Sequence, residues 1–130
     1  MERTQVTAVG LAAPAGHYSH GIVAAANRWL FVAGQVPLDE KGGLVGGDDA
    51  EAQADQALLN LQRIVEGAGG DLAGVVKTTV YLVDLADRQA VARSRQRIFP
   101  DPPPANTLLI VAGLADPRFR VEIEAIVALP

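Results

Sequence analysis

The stretch Pro102-Pro103-Pro104-Ala105-Asn106-Thr107-Leu108-Leu109-Ile110-Val111-Ala112-Gly113-Leu114-Ala115-Asp116-Pro117-Arg118-Phe119-Arg120-Val121-Glu122-Ile123-Glu124-Ala125-Ile126-Val127-Ala128-Leu129 decides how the chain folds. It reads as two strands joined by a loop containing glycine and proline. The first, Thr107 to Val111, carries apolar residues at consecutive positions, the pattern of a strand covered on both faces. The second alternates: Val121, Ile123, Ala125 and Val127 project to one face, and Glu122, Glu124 and Ile126 to the other. Two carboxylates therefore share one strand face, roughly 7 Å apart at about 3.3 Å per residue.

Working outward, Val75 to Val83 is dense in Val, Thr and Tyr and predicts another strand. Two helices interrupt the strands. Asp48 is a suitable N-cap with Glu51 in the capping-box position, and Ala54, Ala57, Leu58, Leu61, Ile64, Val65 and Ala68 recur at helical spacing, with Gln53 among the polar residues on the other side. Gly67, Gly69 and Gly70 end this helix. A second runs from about Leu85 to Phe99 and is stopped by Pro100. Nearer the N-terminus, a short edge strand follows Thr4. Ile22 to Ala26 and Trp29 to Ala33 then flank Asn27-Arg28 as a tight antiparallel hairpin. The predicted order is β-β-β-α-β-α-β-β.

Two helices cover only one face of such a sheet, yet Leu108 to Val111 sends apolar side chains to both. Identical subunits are the cheapest cover for the second face, so the pattern predicts a homo-oligomer.

At 130 residues the chain fits a single domain, residues 1–130. Its 49% hydrophobic, 20% charged and 5% aromatic residues make an ordinary globular composition whose core is Ala, Val, Leu and Ile. The net charge of −4 gives nucleic acid no electrostatic foothold. The absence of cysteine excludes disulfides, thiolate metal sites and a cysteine nucleophile. With no apolar run of about 20 residues and no secretory leader at the N-terminus, the reading is a cytoplasmic protein without a membrane partner.

Glu122 and Glu124 read either as working acids or as exposed strand residues, since a carboxylate in a partly dry cleft can activate water. His17 and His20, three apart in a loop without cysteine or a third histidine, read as loop histidines rather than metal ligands. The doublets Gly42-Gly43 and Gly46-Gly47 lack a phosphate-loop continuation and precede Asp48 and Asp49, so they read as a flexible turn. Arg88, Arg93, Arg95 and Arg97 make the second helix basic, which reads as a solvated or intersubunit face.

Five strings, in order along the chain, carry a resemblance: Gly16-His17-Tyr18-Ser19-His20-Gly21, Ala33-Gly34-Gln35-Val36-Pro37, Val76-Lys77-Thr78-Thr79-Val80-Tyr81-Leu82-Val83-Asp84-Leu85, Pro104-Ala105-Asn106-Thr107 and Val121-Glu122-Ile123-Glu124-Ala125-Ile126. Together they resemble the YjgF/RidA family of reactive intermediate deaminases, also known as L-PSP endoribonuclease-like proteins. The resemblance implies an α+β, chorismate-mutase-like two-layer fold with a six-stranded mixed sheet, two helices on one face, and a homotrimer with ligand clefts between subunits. It implies hydrolysis of enamines and imines such as 2-aminoacrylate to a keto acid and ammonia, with no cofactor and no metal. Carried over position by position, it makes Glu122 the catalytic acid that handles water and puts Tyr18, Gly34, Asn106 and Thr107 at the substrate.

Three positions depart from the family pattern. Asn106 stands where active members have the arginine of Pro-Ala-Arg-Ser, Ala33 replaces the serine before Gly-Gln, and Ala92 replaces an asparagine of the second helix. Asparagine cannot form the bidentate ion pair of an arginine with a carboxylate. The expectation is thus a subgroup lacking the deaminase arginine that binds a small molecule in an intersubunit cleft, as a deaminase for a non-standard substrate. The alternative is a non-catalytic ligand-binding or regulatory protein of the same fold. Arg118 and Arg120 stand as possible substitutes for the missing arginine.

Overall fold

The computed structural model describes residues 2–130. Its strands and helices follow the order expected from the sequence: β1 (Glu2–Val6), β2 (Gly21–Ala25), β3 (Arg28–Gln35), α1 (Ala50–Gly67), β4 (Val75–Leu82), α2 (Arg88–Ile98), β5 (Ala105–Ile110) and β6 (Val121–Leu129). β3, β6, β4 and β5 form a mixed sheet in that order; β6 is antiparallel to both neighbours and β4 is parallel to β5. β1 and β2 form a separate antiparallel pair. The six strands thus divide four and two rather than forming the single six-stranded sheet implied by the resemblance.

The alternation in β6 dictates its central place. Val121, Ile123 and Val127 are fully buried and Ala125 nearly so. They pack beneath Leu58, Leu61 and Val65 of α1 and Val91 of α2 in one hydrophobic cluster. On β4 the buried residues are Val75, Thr78, Val80 and Leu82, so Lys77, Thr79 and Tyr81 look out on the opposite, helix-free face. That face carries Phe31, 73% exposed, with Trp29 and Leu109.

Three expectations need correction. β2 and β3 follow one another but do not pair: β2 bonds β1, and β3 bonds β6. The β1–β2 pair is tied to the larger sheet through Arg3, whose side chain donates to Val75 O at 3.0 and 3.2 Å and to Pro102 O at 2.7 Å. The α1 N-cap is Asp49 rather than Asp48; its Oδ1 accepts from the amides of Glu51 and Ala52. Glu51, freed from a capping box, pairs with Arg93 at 2.8 Å and Arg97 at 2.5 Å, so these half-exposed arginines tie α2 to α1.

Gln53 is the third correction, being fully buried rather than solvent-facing. Its Nε2 donates to Gly47 O at 2.6 Å and Arg118 O at 2.9 Å, and its Oε1 accepts from Arg120 N at 2.7 Å. One amide therefore fixes the chain just before Glu122. Gln53→Leu should leave these backbone groups unsatisfied, cost about 2–3 kcal/mol and lower the Tm by roughly 5–10 °C. An unchanged Tm in thermal denaturation would show that the amide does not anchor this segment.

Candidate active site

Glu122 is placed by an irregularity in the sheet. Between Val32, opposite Ala125, and Gln35, opposite Ile123, β3 advances three residues while β6 advances two. This extra residue is a β-bulge, which bends a strand and re-aims what it carries. Gly34 lies in it, and the Glu122 carboxylate lies directly on Gly34: a Cβ there would come within 2.0 Å of Oε2. Only glycine leaves room for this acid. Among the described residues Glu122 enters no ion pair.

Glu124 shares the face, with Lys77, Thr79 and Phe31, around a cavity of about 290 Å³. Tyr81 stands opposite Glu122 in the β4–β6 register. Burial, reinforced by the Glu124 and Glu122 carboxylates, pushes its hydroxyl above the usual tyrosine range.

Asn106 belongs to a different place. Its Oδ1 accepts from Thr78 Oγ1 at 2.7 Å, and Thr78 is fully buried, so Asn106 lies on the helix-bearing side of the sheet. It lines a cavity of about 310 Å³ with Tyr18, His17, Arg88, Ala92 and Arg95. Tyr18 enters from the loop before β2, its hydroxyl accepting from Ala15 N at 3.4 Å. Thr107, next in sequence, faces the other way and accepts from Lys77 Nζ at 2.6 Å.

The five expected site residues therefore fall into two groups within one chain. Tyr18 and Asn106 share the helix-side cavity, while Gly34, Glu122 and Thr107 belong to the helix-free face. Asn106 and Ala125 both stand opposite Thr78, and Glu122 is three residues further along β6. Two strand spacings across and three residues along separate the Asn106 and Glu122 Cα atoms by roughly 14 Å. Glu122 and Asn106 of one subunit therefore do not face each other.

Neither anticipated substitute for the missing arginine is available. Arg118 is bound to Asp116 at 2.8 Å, and this pairing holds the Asp116 carboxyl at about 2. Arg120 is bound to Asp87 at 2.9 Å. Arg95 lies on the helix whose arginines read as a solvated or intersubunit face, but it is only 5% exposed and lines the cavity beside Asn106. Its spacing held the signal: Val91, Ser94, Arg95 and Ile98 form an i, i+3, i+4, i+7 stripe. His17 Nε2 donates to Phe99 O and His20 Nε2 to Ala12 O, so both histidines brace loops. No cluster of three or more potential metal ligands occurs among the described residues.

A two-helix layer on a mixed sheet, with an acid on a bulged strand and a polar cavity under the second helix, defines an α+β protein of the YjgF/Rid type. The model of the family described as Endoribonuclease L-PSP matches residues 10–129, and the chain belongs to this family. A RutC family protein, y4sK, from Sinorhizobium fredii is 43% identical over 77% of this chain and 79% of its own length. The human 2-iminobutanoate/2-iminopropanoate deaminase is 38% identical over 85% of this chain and 79% of its own length. The crystal structure of YyfB from Yersinia pestis, a Rid family protein of unknown function, superposes with a TM-score of 0.88 at 32% identity, covering 99% of this chain and all of that one.

The bulge geometry yields a specific expectation. Gly34→Ala should keep stability within about 1 kcal/mol, because the clashing atoms are the far end of a flexible side chain. It should also swing the Glu122 carboxylate away. A crystal structure of the variant with Glu122 in place would contradict this.

Proposed function

We propose that the protein is a hydrolytic imine or enamine deaminase whose site is completed between subunits of a homotrimer. The observation that carries this reading is the Glu122 carboxylate, held against Gly34 with no ion-pair partner among the described residues, on a face that no helix covers. The kinship with proteins named as imine deaminases supports the reaction class. The exposed Phe31 and Leu109 support a second copy on that face. Such a copy would bring its own Asn106 and Tyr18 to the Glu122 of its neighbour.

In this reading Glu122 accepts a proton from water as the water oxygen bonds to the imine carbon. The C=N π electrons move to nitrogen, which takes a proton from solvent. The resulting carbinolamine then loses ammonia: Glu122 returns its proton to the departing nitrogen, the hydroxyl proton passes to solvent, and the carbonyl forms. The sum is R₂C=NH plus water giving R₂C=O plus ammonia. Asn106 supplies a neutral donor to the substrate, because its Oδ1 is engaged by Thr78 and its Nδ2 is left to donate. The carbon of an imine is already electrophilic, so orientation and one base suffice. A ligand-binding protein without turnover is the alternative.

Two measurements check the reading. Ammonia release from freshly generated imines, with and without a carboxylate, should be accelerated by the wild type, and Glu122→Gln should reduce this by about 100-fold or more. Tight binding without turnover of any imine would favour the alternative. Light scattering should give three times the 13.6 kDa chain mass, and a monomer at micromolar concentration would contradict the shared site.

A further inference from the structure

Arginines 93, 97, 118 and 120 each reach a carboxylate. Arg95 does not, although it is the most deeply buried cation of α2. Its Nη1 donates to His17 O at 3.3 Å and its Nη2 to Thr78 Oγ1 at 3.4 Å, both long. Its Nε has no acceptor. Two of five N–H donors are thus engaged, and only with neutral groups. The Phe99 ring, 5.8 Å from Cζ, completes its surroundings. Burial without a counter-charge lowers its pKa to about 10, so the group is still a cation at neutral pH. A buried charge that lacks an ionic partner is costly, and native structures generally supply one.

The cavity that Arg95 lines contains no acidic side chain. It holds a second arginine, Arg88, which enters no ion pair among the described residues. A relay links the polar groups on its wall: Arg95 donates to Thr78, and Thr78 donates to Asn106. The relay leaves the Asn106 amide nitrogen to donate, so cation and amide both seek acceptors in one cavity of about 310 Å³. That is ample for a small organic ligand.

We propose that Arg95, reaching in from helix α2, is the anion receptor of this cavity, and that the ligand it takes carries a carboxylate. One uncommitted N–H remains on each Nη, and this fork of a planar guanidinium matches the two oxygens of a carboxylate. The substitution of arginine by asparagine at 106 thus moves the cation from strand to helix and does not remove it. This rests on reading the cavity as part of the ligand site, and it narrows the proposed substrate to one bearing a carboxylate.

Binding of benzoate, benzamide and inorganic phosphate to the full-length protein, followed by calorimetry and by the Arg95 Nε–H resonance, tests the assignment. Benzoate should bind at least about tenfold tighter than benzamide, move the Nε–H resonance downfield, and outcompete phosphate. Arg95→Met should erase the preference for benzoate, and Arg95→Lys should restore part of it. Equal binding of benzoate and benzamide by the wild type, a stationary Nε–H resonance, or stronger binding of phosphate would each overturn the proposal. The wild-type measurements decide it even if Arg95→Met fails to fold. Failure of the wild type to turn over any imine would count against the deaminase reading and leave this result standing.

Discussion

Side chains along a strand alternate between the two faces of its sheet, and this constraint governs everything the molecule can do with its polar residues. Thr78 is buried under the helices, so Asn106, bonded to it, is on the helix side. Val121, Ile123 and Ala125 are buried on that same side, so Glu122 and Glu124 must face away. No rotamer brings Asn106 and Glu122 of one chain together through a hydrogen-bonded sheet. A site that uses both needs two copies, and the apolar side chains of the helix-free face give a reason for those copies to associate.

The charges follow a similar division of labour. Arg93 and Arg97 spend their charge holding α2 to α1 through Glu51 and Asp55. Hydrogen bonds from Arg97 and Arg93 hold the Glu51 carboxyl below its usual range. A group with a depressed folded-state pKa stabilises above its unfolded pKa, and that contribution disappears as the pH falls through the folded value. The clamp therefore operates at neutral pH and weakens only in acid, which keeps α2 in register over the cavity. Arg95, on the inner face of the same helix, is left without such a partner, and the clamp around it fixes where its guanidinium sits.

Much of this was legible in the residues. Strict alternation gave β6 its boundaries and its two faces, because a central strand with one buried side permits no other register. Helical spacing gave α1 and α2, with small errors at the Asp49 cap. The pairing partners of β2 and β3 were not legible, since β3 pairs with β6, which lies far along the chain. Gln53 and Arg95 were misread for a shared reason: both are polar residues on apolar stripes, and composition outweighed position. Alternation places Glu122 and Glu124 on one face and the resemblance singles out Glu122, but its seat on Gly34 depends on a bulge that leaves no local mark beyond the glycine itself.

The absence of cysteine from the chain makes the central claim directly measurable. Asn106→Cys and Glu122→Cys proteins, refolded together and treated with a short bis-maleimide, should give covalent dimers joined between the two substituted positions, while either protein alone should give far less. Monomer as the sole product, or equal yields from the mixture and the single variants, would contradict a site shared between subunits.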